Sequence, residues 1–443
     1  MCRAVDSRII SYPYVTMAYA ATSALADHDA VLGGDIIHGS NGVSARYHGL
    51  TLTSHFQPIF SLSHGRAIGH EGLLRACDDE RNPVPPGRVI ASATRYEDLR
   101  HLDQLCRYLH VNNHSAYDTH DGWLFLNIHP EVFCRGPEND LSDFLPELCE
   151  HPNIDPRRIV IEVMEQVVAE NAGFARTVEY LRDLGCMIAL DDFGAGHSNF
   201  DRIWSLQPEI VKLDRSFALK SVEDPSARRL LPQIVSLIHE AGSLVLLEGV
   251  ETEAQALAAL DSDIDFVQGF YFAMPESAPI DTRTLSAPLN ALWEKFNATR
   301  GAGAARARAL IAPYLQTIGG CVLLLEDGAS LDDACREFLQ LERADSCFLL
   351  DGLGRQIGNN ARPRHLIMPA DNPYRALAAN RSAHWSRRPY FRHAIEIPGK
   401  THVTRPYLSI STGLLCVTVS IAFRNWNDEV LVLCGDVHWP QVV

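Results

Sequence analysis

At 443 residues, with 46% hydrophobic and 21% charged side chains, the chain has the composition of a globular protein large enough for two or three domains. Its net charge of −16 is uneven: residues 300–443 carry 16 Lys+Arg against 13 Asp+Glu, whereas residues 1–299 carry 23 against 42. So acidic a first part excludes a non-specific nucleic-acid surface, which needs a basic face, and no DNA partner is expected.

Residues 1–45 read as an irregular leader without the basic start and apolar core of a signal peptide. Apolar runs follow at 51–60, 66–74, 123–128, 158–164, 186–191, 209–213, 243–248 and 265–273. Helical patterns lie between most of them, at Pro86–Val111, Gln166–Leu184, Pro225–Ala241 and Thr252–Leu260. Strands alternating with helices predict βαβ units and a parallel sheet. Eight runs over about 230 residues fit a (β/α)8 barrel better than an open doubly wound sheet, for which no G-x-G-x-x-G turn is present. No run of about 18 apolar residues is evident, so no membrane span is expected. The 11 cysteines stand singly with no C-x-x-C pair, as reduced core thiols of a cytoplasmic protein do.

Several of these runs end in a polar residue. Met187-Ile-Ala-Leu-Asp-Asp-Phe-Gly194 closes an apolar strand with two adjacent carboxylates and a glycine turn. Glu71, Asn127, Glu162, Lys212 and Glu248 hold equivalent places, at or just past the ends of their runs. Barrel strands converge at their C-terminal ends, so these side chains predict a ring of oxygen ligands suited to hard divalent cations. A single such carboxylate is more often a helix N-cap than a ligand; the repetition is what argues for chemistry.

The segments Phe56-Gln-Pro-Ile, Glu71-Gly-Leu-Leu-Arg75, Asn127-Ile-His-Pro130, Glu162-Val-Met-Glu165, Asp191-Asp-Phe-Gly-Ala-Gly-His-Ser-Asn199, Lys212-Leu-Asp214, Glu248-Gly-Val-Glu251 and Gln268-Gly-Phe-Tyr271 resemble, in order, the motifs of the EAL-domain family over residues 46–285. That family comprises cyclic di-GMP phosphodiesterases on a modified barrel whose first strand runs against the others. The resemblance implies hydrolysis of cyclic di-GMP to linear pGpG with two Mg²⁺ or Mn²⁺ ions. It assigns Glu71, Asn127, Glu162 and Asp191 to one ion and Asp191 with Asp192 to the second. Lys212 would orient or deprotonate the attacking water, and Glu248 would complete the metal site. Gln57, Arg75 and Gln268 would meet the substrate, with Asp214, Glu251 and Gln268 supporting ligands or water and Glu165 anchoring the loop after Asp192. A homodimer is also implied.

Three positions depart from the family pattern: Gly72 stands for alanine, Phe56 for tyrosine and Met164 for threonine. The Asp192-Phe-Gly194 triplet has no upstream glycine-rich loop or H-R-D motif, which removes a kinase reading. His129, His151 and His197 lack a paired ligand spacing and are given no metal role, and Trp123 and Trp204 are expected in the core. The rival from another class is a catalytically silent cyclic di-GMP receptor, which would usually have lost ligands that this chain keeps.

Residues 286–318 read as a helical linker, although Gly301 and Gly303 argue against one uninterrupted helix. From residue 319 a strand at Cys321–Leu325, a helix at Leu331–Arg343, a strand at Ser346–Leu350 and further runs at 402–403, 414–423 and 429–435 suggest a smaller α+β domain. The pieces Pro389-Tyr-Phe-Arg-His393, Arg405-Pro-Tyr-Leu-Ser409, Thr412-Gly413 and Gly435-Asp436 resemble motifs of PAS/Cache-type sensors. That likeness implies a regulatory module taking an unidentified small ligand or protein.

Overall fold

A computed structural model of the chain describes residues 35–39, 42–117, 122–135, 154–167, 172–196, 200–363, 383–409 and 412–440. The chain divides into two compact units, Met1–Phe296 and Asn297–Val443. The first ends eleven residues beyond the expected end of the barrel, residue 285.

The first unit is a closed barrel. Its strands are β1 (Ile36–Gly39), β2 (Gly42–Tyr47), β3 (Leu50–Ser61), β4 (Arg66–Cys77), β5 (Pro83–Val84), β6 (Trp123–Asn127), β7 (Ile159–Met164), β8 (Met187–Phe193), β9 (Ile210–Leu213), β10 (Leu244–Leu247) and β11 (Phe266–Val267). The order β1-β2-β3-β11-β10-β9-β8-β7-β6-β4-β5 closes on itself because β3 also pairs with β4. All pairs from β4 through β6 to β11 are parallel, whereas β3 runs antiparallel to both β4 and β11. The expected reversed first strand is therefore present. The described part of the leader departs from expectation: β1 and β2 form a hairpin whose second strand extends the sheet from β3.

The inside and outside of the barrel follow from the two-residue alternation of strands. Ile59, Phe125, Val160, Ala189, Ile210, Leu246 and Phe266, each from a different strand, pack together as one apolar layer. The alternate residues, such as Leu124, Leu126, Ile161, Ile188, Val211, Leu213, Val245 and Leu247, belong to the larger cluster shared with the surrounding helices. Burial on both faces explains why these strands read as continuous apolar runs. Each large apolar side chain so buried is worth about 1.5–3 kcal/mol.

Helices at Pro86–Ser92, Tyr96–Ser115, Pro130–Arg135, Ala172–Leu184, Asp201–Leu206, Arg215–Glu223, Pro225–Glu240 and Glu253–Asp261 accompany the strands. Thr252 and Gln255 form a capping box at the last of them, and Asp224 caps Pro225–Glu240. The run at 265–273 yields only a two-residue strand, because Gly269 and the residues after it turn over Val250. Trp123 packs edge-on against Phe125 and Phe266, but Trp204 is 62% exposed and corrects the expectation of a core position.

In the second unit, β12 (Ala344–Asp351), β13 (Gln356–Ala361), β14 (His402–Val403), β15 (Tyr407–Leu408), β16 (Leu415–Arg424) and β17 (Val430–His438) form one antiparallel sheet. One apolar cluster joins Val417, Val419 and Leu433 to Ile318 and Phe338; a second joins Phe348, Ala422 and Val432 to Tyr390 and Phe391 of the helix Pro389–Glu396.

Two expectations fail here. Ala287–Glu326 is a single 40-residue helix that contains Gly301, Gly303 and Pro313, and Cys321–Leu325 is its end, not a strand. Ile311, Tyr314, Ile318, Cys321, Val322 and Leu325 lie in the second unit's core at helical spacing. Their burial outweighs a cost of about 1 kcal/mol for each glycine. The portion Ala305–Glu326 is long and apolar enough by length and composition alone to cross a membrane, with 33% of its most apolar window buried, but Arg306, Arg308, Gln316 and Thr317 break its apolar run and its buried residues belong to the second unit's core.

Candidate active site and metal centre

The polar residues of interest sit one step above the apolar layer. Counting two residues on leads from Phe125 to Asn127, Val160 to Glu162, Ala189 to Asp191, Ile210 to Lys212, Leu246 to Glu248 and Phe266 to Gln268. On the antiparallel β3 the same step runs backwards, from Ile59 to Gln57, whose register partner on β4 is Glu71. Period-two geometry alone thus brings these side chains to one end of the barrel.

Asp192 needs a separate device, since consecutive strand residues point to opposite faces. The register with β9 shifts between Leu190 and Phe193, and Asp192 takes a left-handed φ of 57°. This bulge turns both carboxylates toward the same end. Gly194 follows at φ 98°, and a Cβ there would lie 2.1 Å from Phe217 Cε2. Its N–H donates to Glu165 Oε2 at 3.3 Å, so the expected loop anchor meets the loop directly.

At the centre stands Lys212, 1% exposed. Its Nζ pairs with Glu162, lies 3.0 Å from Asp191 Oδ1 and 2.8 Å from Glu248 Oε1. Burial disfavours the ammonium, but Asp191, Glu162, Glu248 and Glu71 outweigh it and hold Lys212 protonated. Glu71 accepts from Asn127 Nδ2 at 3.1 Å and from Gln268 Nε2 at 2.8 Å, which leaves the Asn127 carbonyl oxygen as an acceptor.

Five carboxylates around one lysine leave a large negative excess. Burial and the neighbouring Glu71 raise Glu162 well above the usual carboxylate range. Burial, followed by Asp191 and Glu71, pushes Glu248 up to about 7. Asp192 is raised by burial and then by Asp191. Glu162 Oε2 is buried and has no hydrogen-bond partner among the described residues, a costly state for a carboxylate oxygen. Asp191, Asp192 and Glu248 each bring an oxygen within 4.8 Å of the others. An orphaned oxygen beside such a cluster fits a divalent cation by donor chemistry and by charge.

The remaining expected residues fall in different places. Arg75 lines a cavity of about 430 Å³ beside the cluster, together with Asn127, His129, Met164 and Leu74. Gln57 is buried and donates to Ala273 O at 3.4 Å. Asp214 caps the helix Arg215–Glu223 by accepting from Ser216 N at 3.0 Å, although its charge also contributes to raising Asp192. Glu251 is exposed, and its backbone N–H is held by Gln255. His129 caps the helix Pro130–Arg135 by accepting from Glu131 N through its Nδ1 at 3.2 Å. His151 and His197 lie outside the described residues.

Sequence reasoning missed the buried pair Asp103–Arg107 on the helix Tyr96–Ser115. An acid four residues before an arginine is the usual signature of an exposed helix face, and nothing in that spacing marks it as internal.

The profile of the EAL domain matches residues 43–275, and the chain belongs to the EAL-domain family. Among characterised relatives, the cyclic di-GMP phosphodiesterase RocR of Pseudomonas aeruginosa is 27% identical over 226 residues, covering 50% of this chain and 57% of RocR. The signaling protein YkoW of Bacillus subtilis is 26% identical over 227 residues, covering 50% of this chain and 28% of YkoW. The match therefore spans less than two thirds of either relative. In fold, the chain is similar to Bacillus subtilis YkuI, an EAL-domain protein solved with c-di-GMP and calcium. The TM-score is 0.74 at 21% identity, over 88% of this chain and 96% of YkuI.

Proposed function

We propose that the barrel is a metal-dependent phosphodiesterase that opens cyclic di-GMP to linear pGpG. The observation that carries this reading is the orphaned Glu162 oxygen beside the Asp191, Asp192 and Glu248 cluster, with Lys212 at its centre. Glu71, Asn127, Glu162, Asp191, Asp192 and Glu248 would hold Mg²⁺ or Mn²⁺, which would supply a Lewis acid for the phosphoryl oxygens and an acidified water.

The side chains do the remaining work. Lys212, protonated and fixed by three carboxylates, orients the attacking water. That water adds to phosphorus, the P–O bond to the ribose 3′ oxygen breaks, and the 3′ hydroxyl takes up a proton. Glu248, 22% exposed at its side chain, is the carboxylate placed to accept the water's proton and exchange it with solvent. Arg75 presents a forked donor to the second phosphate, and the adjoining cavity receives part of the nucleotide.

The second unit is proposed to regulate turnover. Incubating the purified chain with cyclic di-GMP and Mn²⁺, with pGpG followed by chromatography, tests the activity. Nucleotide that is bound but returned intact would instead support the receptor reading.

A further inference from the structure

We propose that Asp103 is a positioning residue for Asn127, acting through the backbone of His129; the inference rests on the metal-centre reading above. Asp103 divides its two oxygens between two tasks. Oδ2 pairs with Arg107, which is 2% exposed, and Oδ1 accepts the His129 N–H at 2.7 Å. His129 is two residues past Asn127, at the point where β6 ends and the helix Pro130–Arg135 begins.

The short segment between them is held at each end. Asn127 closes β6 in register with Glu162 and donates to Glu71. His129 offers its carbonyl to Phe133 N at 2.9 Å and its Nδ1 to Glu131 N at 3.2 Å, so it starts the helix. The amide of His129 registers the turn sideways by donating to Asp103. Ile128, 4% exposed, fills the space between the two. Asn127 itself is exposed at the barrel mouth, where its amide is aimed by the bond to Glu71 and by the turn that follows it. A carboxylate acceptor makes a charge-assisted and therefore stronger bond to the His129 amide than a neutral acceptor would, and it does so through Oδ1 while Arg107 occupies Oδ2.

The reading separates the ion pair from the amide contact. Arg107→Met removes the pair but leaves the acceptor for His129. Asp103→Ala/Arg107→Met removes both without leaving a buried arginine uncompensated. Asp103→Glu keeps the charge but displaces the acceptor by one methylene, and serves if the double variant does not fold. The measurement is Mn²⁺ binding to the full chain by titration calorimetry without nucleotide, with thermal unfolding recorded alongside. Arg107→Met is expected to bind Mn²⁺ within about threefold of the unchanged chain. The double variant and Asp103→Glu are expected to bind about 10–100-fold more weakly, the range usual for groups supporting metal ligands. Equal Mn²⁺ affinity in Arg107→Met and in the folded variants that lack or displace the acceptor overturns the proposal. An unchanged chain that binds no Mn²⁺ overturns the metal-centre reading and this inference with it.

Discussion

Lys212 Nζ lies 2.8 Å from Glu248 Oε1, so the barrel's central cation is shared with a carboxylate that is also within reach of Asp191 and Asp192. The ammonium is the only positive charge inside a ring of five acids among the described residues of the cluster. Replacing it by methionine leaves buried carboxylates without their counter-ion. Lys212→Met is expected to lower metal-free stability by about 3–5 kcal/mol and to abolish turnover. Mn²⁺ should restore part of the stability and none of the activity. Denaturant unfolding with and without Mn²⁺ decides it, and a variant as stable as the parent in chelator would contradict the geometry.

Removal of divalent ions should stop pGpG formation. Restoring Mg²⁺ or Mn²⁺ should recover it, whereas Ca²⁺ should not, because its larger and looser coordination suits hydrolysis poorly. Turnover that survives exhaustive chelation would exclude the carboxylate cluster as a metal centre. Glu71→Ala should likewise lose hydrolysis while keeping some nucleotide affinity through Arg75 and Gln57.

Glu248 has a signed consequence for pH. Its folded value of about 7 lies above the ordinary 4.5, so the metal-free folded chain holds a proton that the unfolded chain has released. Stability relative to Glu248→Gln is therefore fullest below about pH 4.5 and falls as the pH rises toward 7, by on the order of 3 kcal/mol. Urea unfolding of both proteins in chelator, at half-unit pH steps, measures the difference. A flat difference would rule out the raised carboxyl.

Gly194→Ala should uncouple the turn from the acids before it. The new methyl would strike Phe217 and force a left-handed φ on a residue that resists it. A loss of about 1–3 kcal/mol is expected, with turnover falling at least tenfold. Unaltered kinetics would mean that the turn does not hold Asp192 in place.

The strands of the barrel were legible because parallel strands buried on both faces leave unbroken apolar runs, and Ile159–Met164 or Leu244–Leu247 have no other ready reading. The site was legible because each polar residue interrupts such a run at a fixed place. Asp214 and Glu251 were harder, since a carboxylate that caps a helix and one that supports a ligand look alike in sequence. The long helix Ala287–Glu326 was misread at its glycines and at Cys321–Leu325, where a five-residue apolar run carries both a strand pattern and a helical one. Asp103 and Arg107 were invisible for the opposite reason, as charges that spacing alone assigns to solvent.

The layer formed by Ile59, Phe125, Val160, Ala189, Ile210, Leu246 and Phe266 gives the barrel a floor that is chemically blank. Above it, each strand offers one address at which a side chain faces its counterparts from the other strands, except β8, whose bulge brings up both Asp191 and Asp192. The residue at an address can be exchanged without disturbing the floor, whereas a single-residue insertion between floor and address would turn that side chain outward to the helices. The chemistry of this barrel is therefore open to substitution and closed to changes of length within its strands.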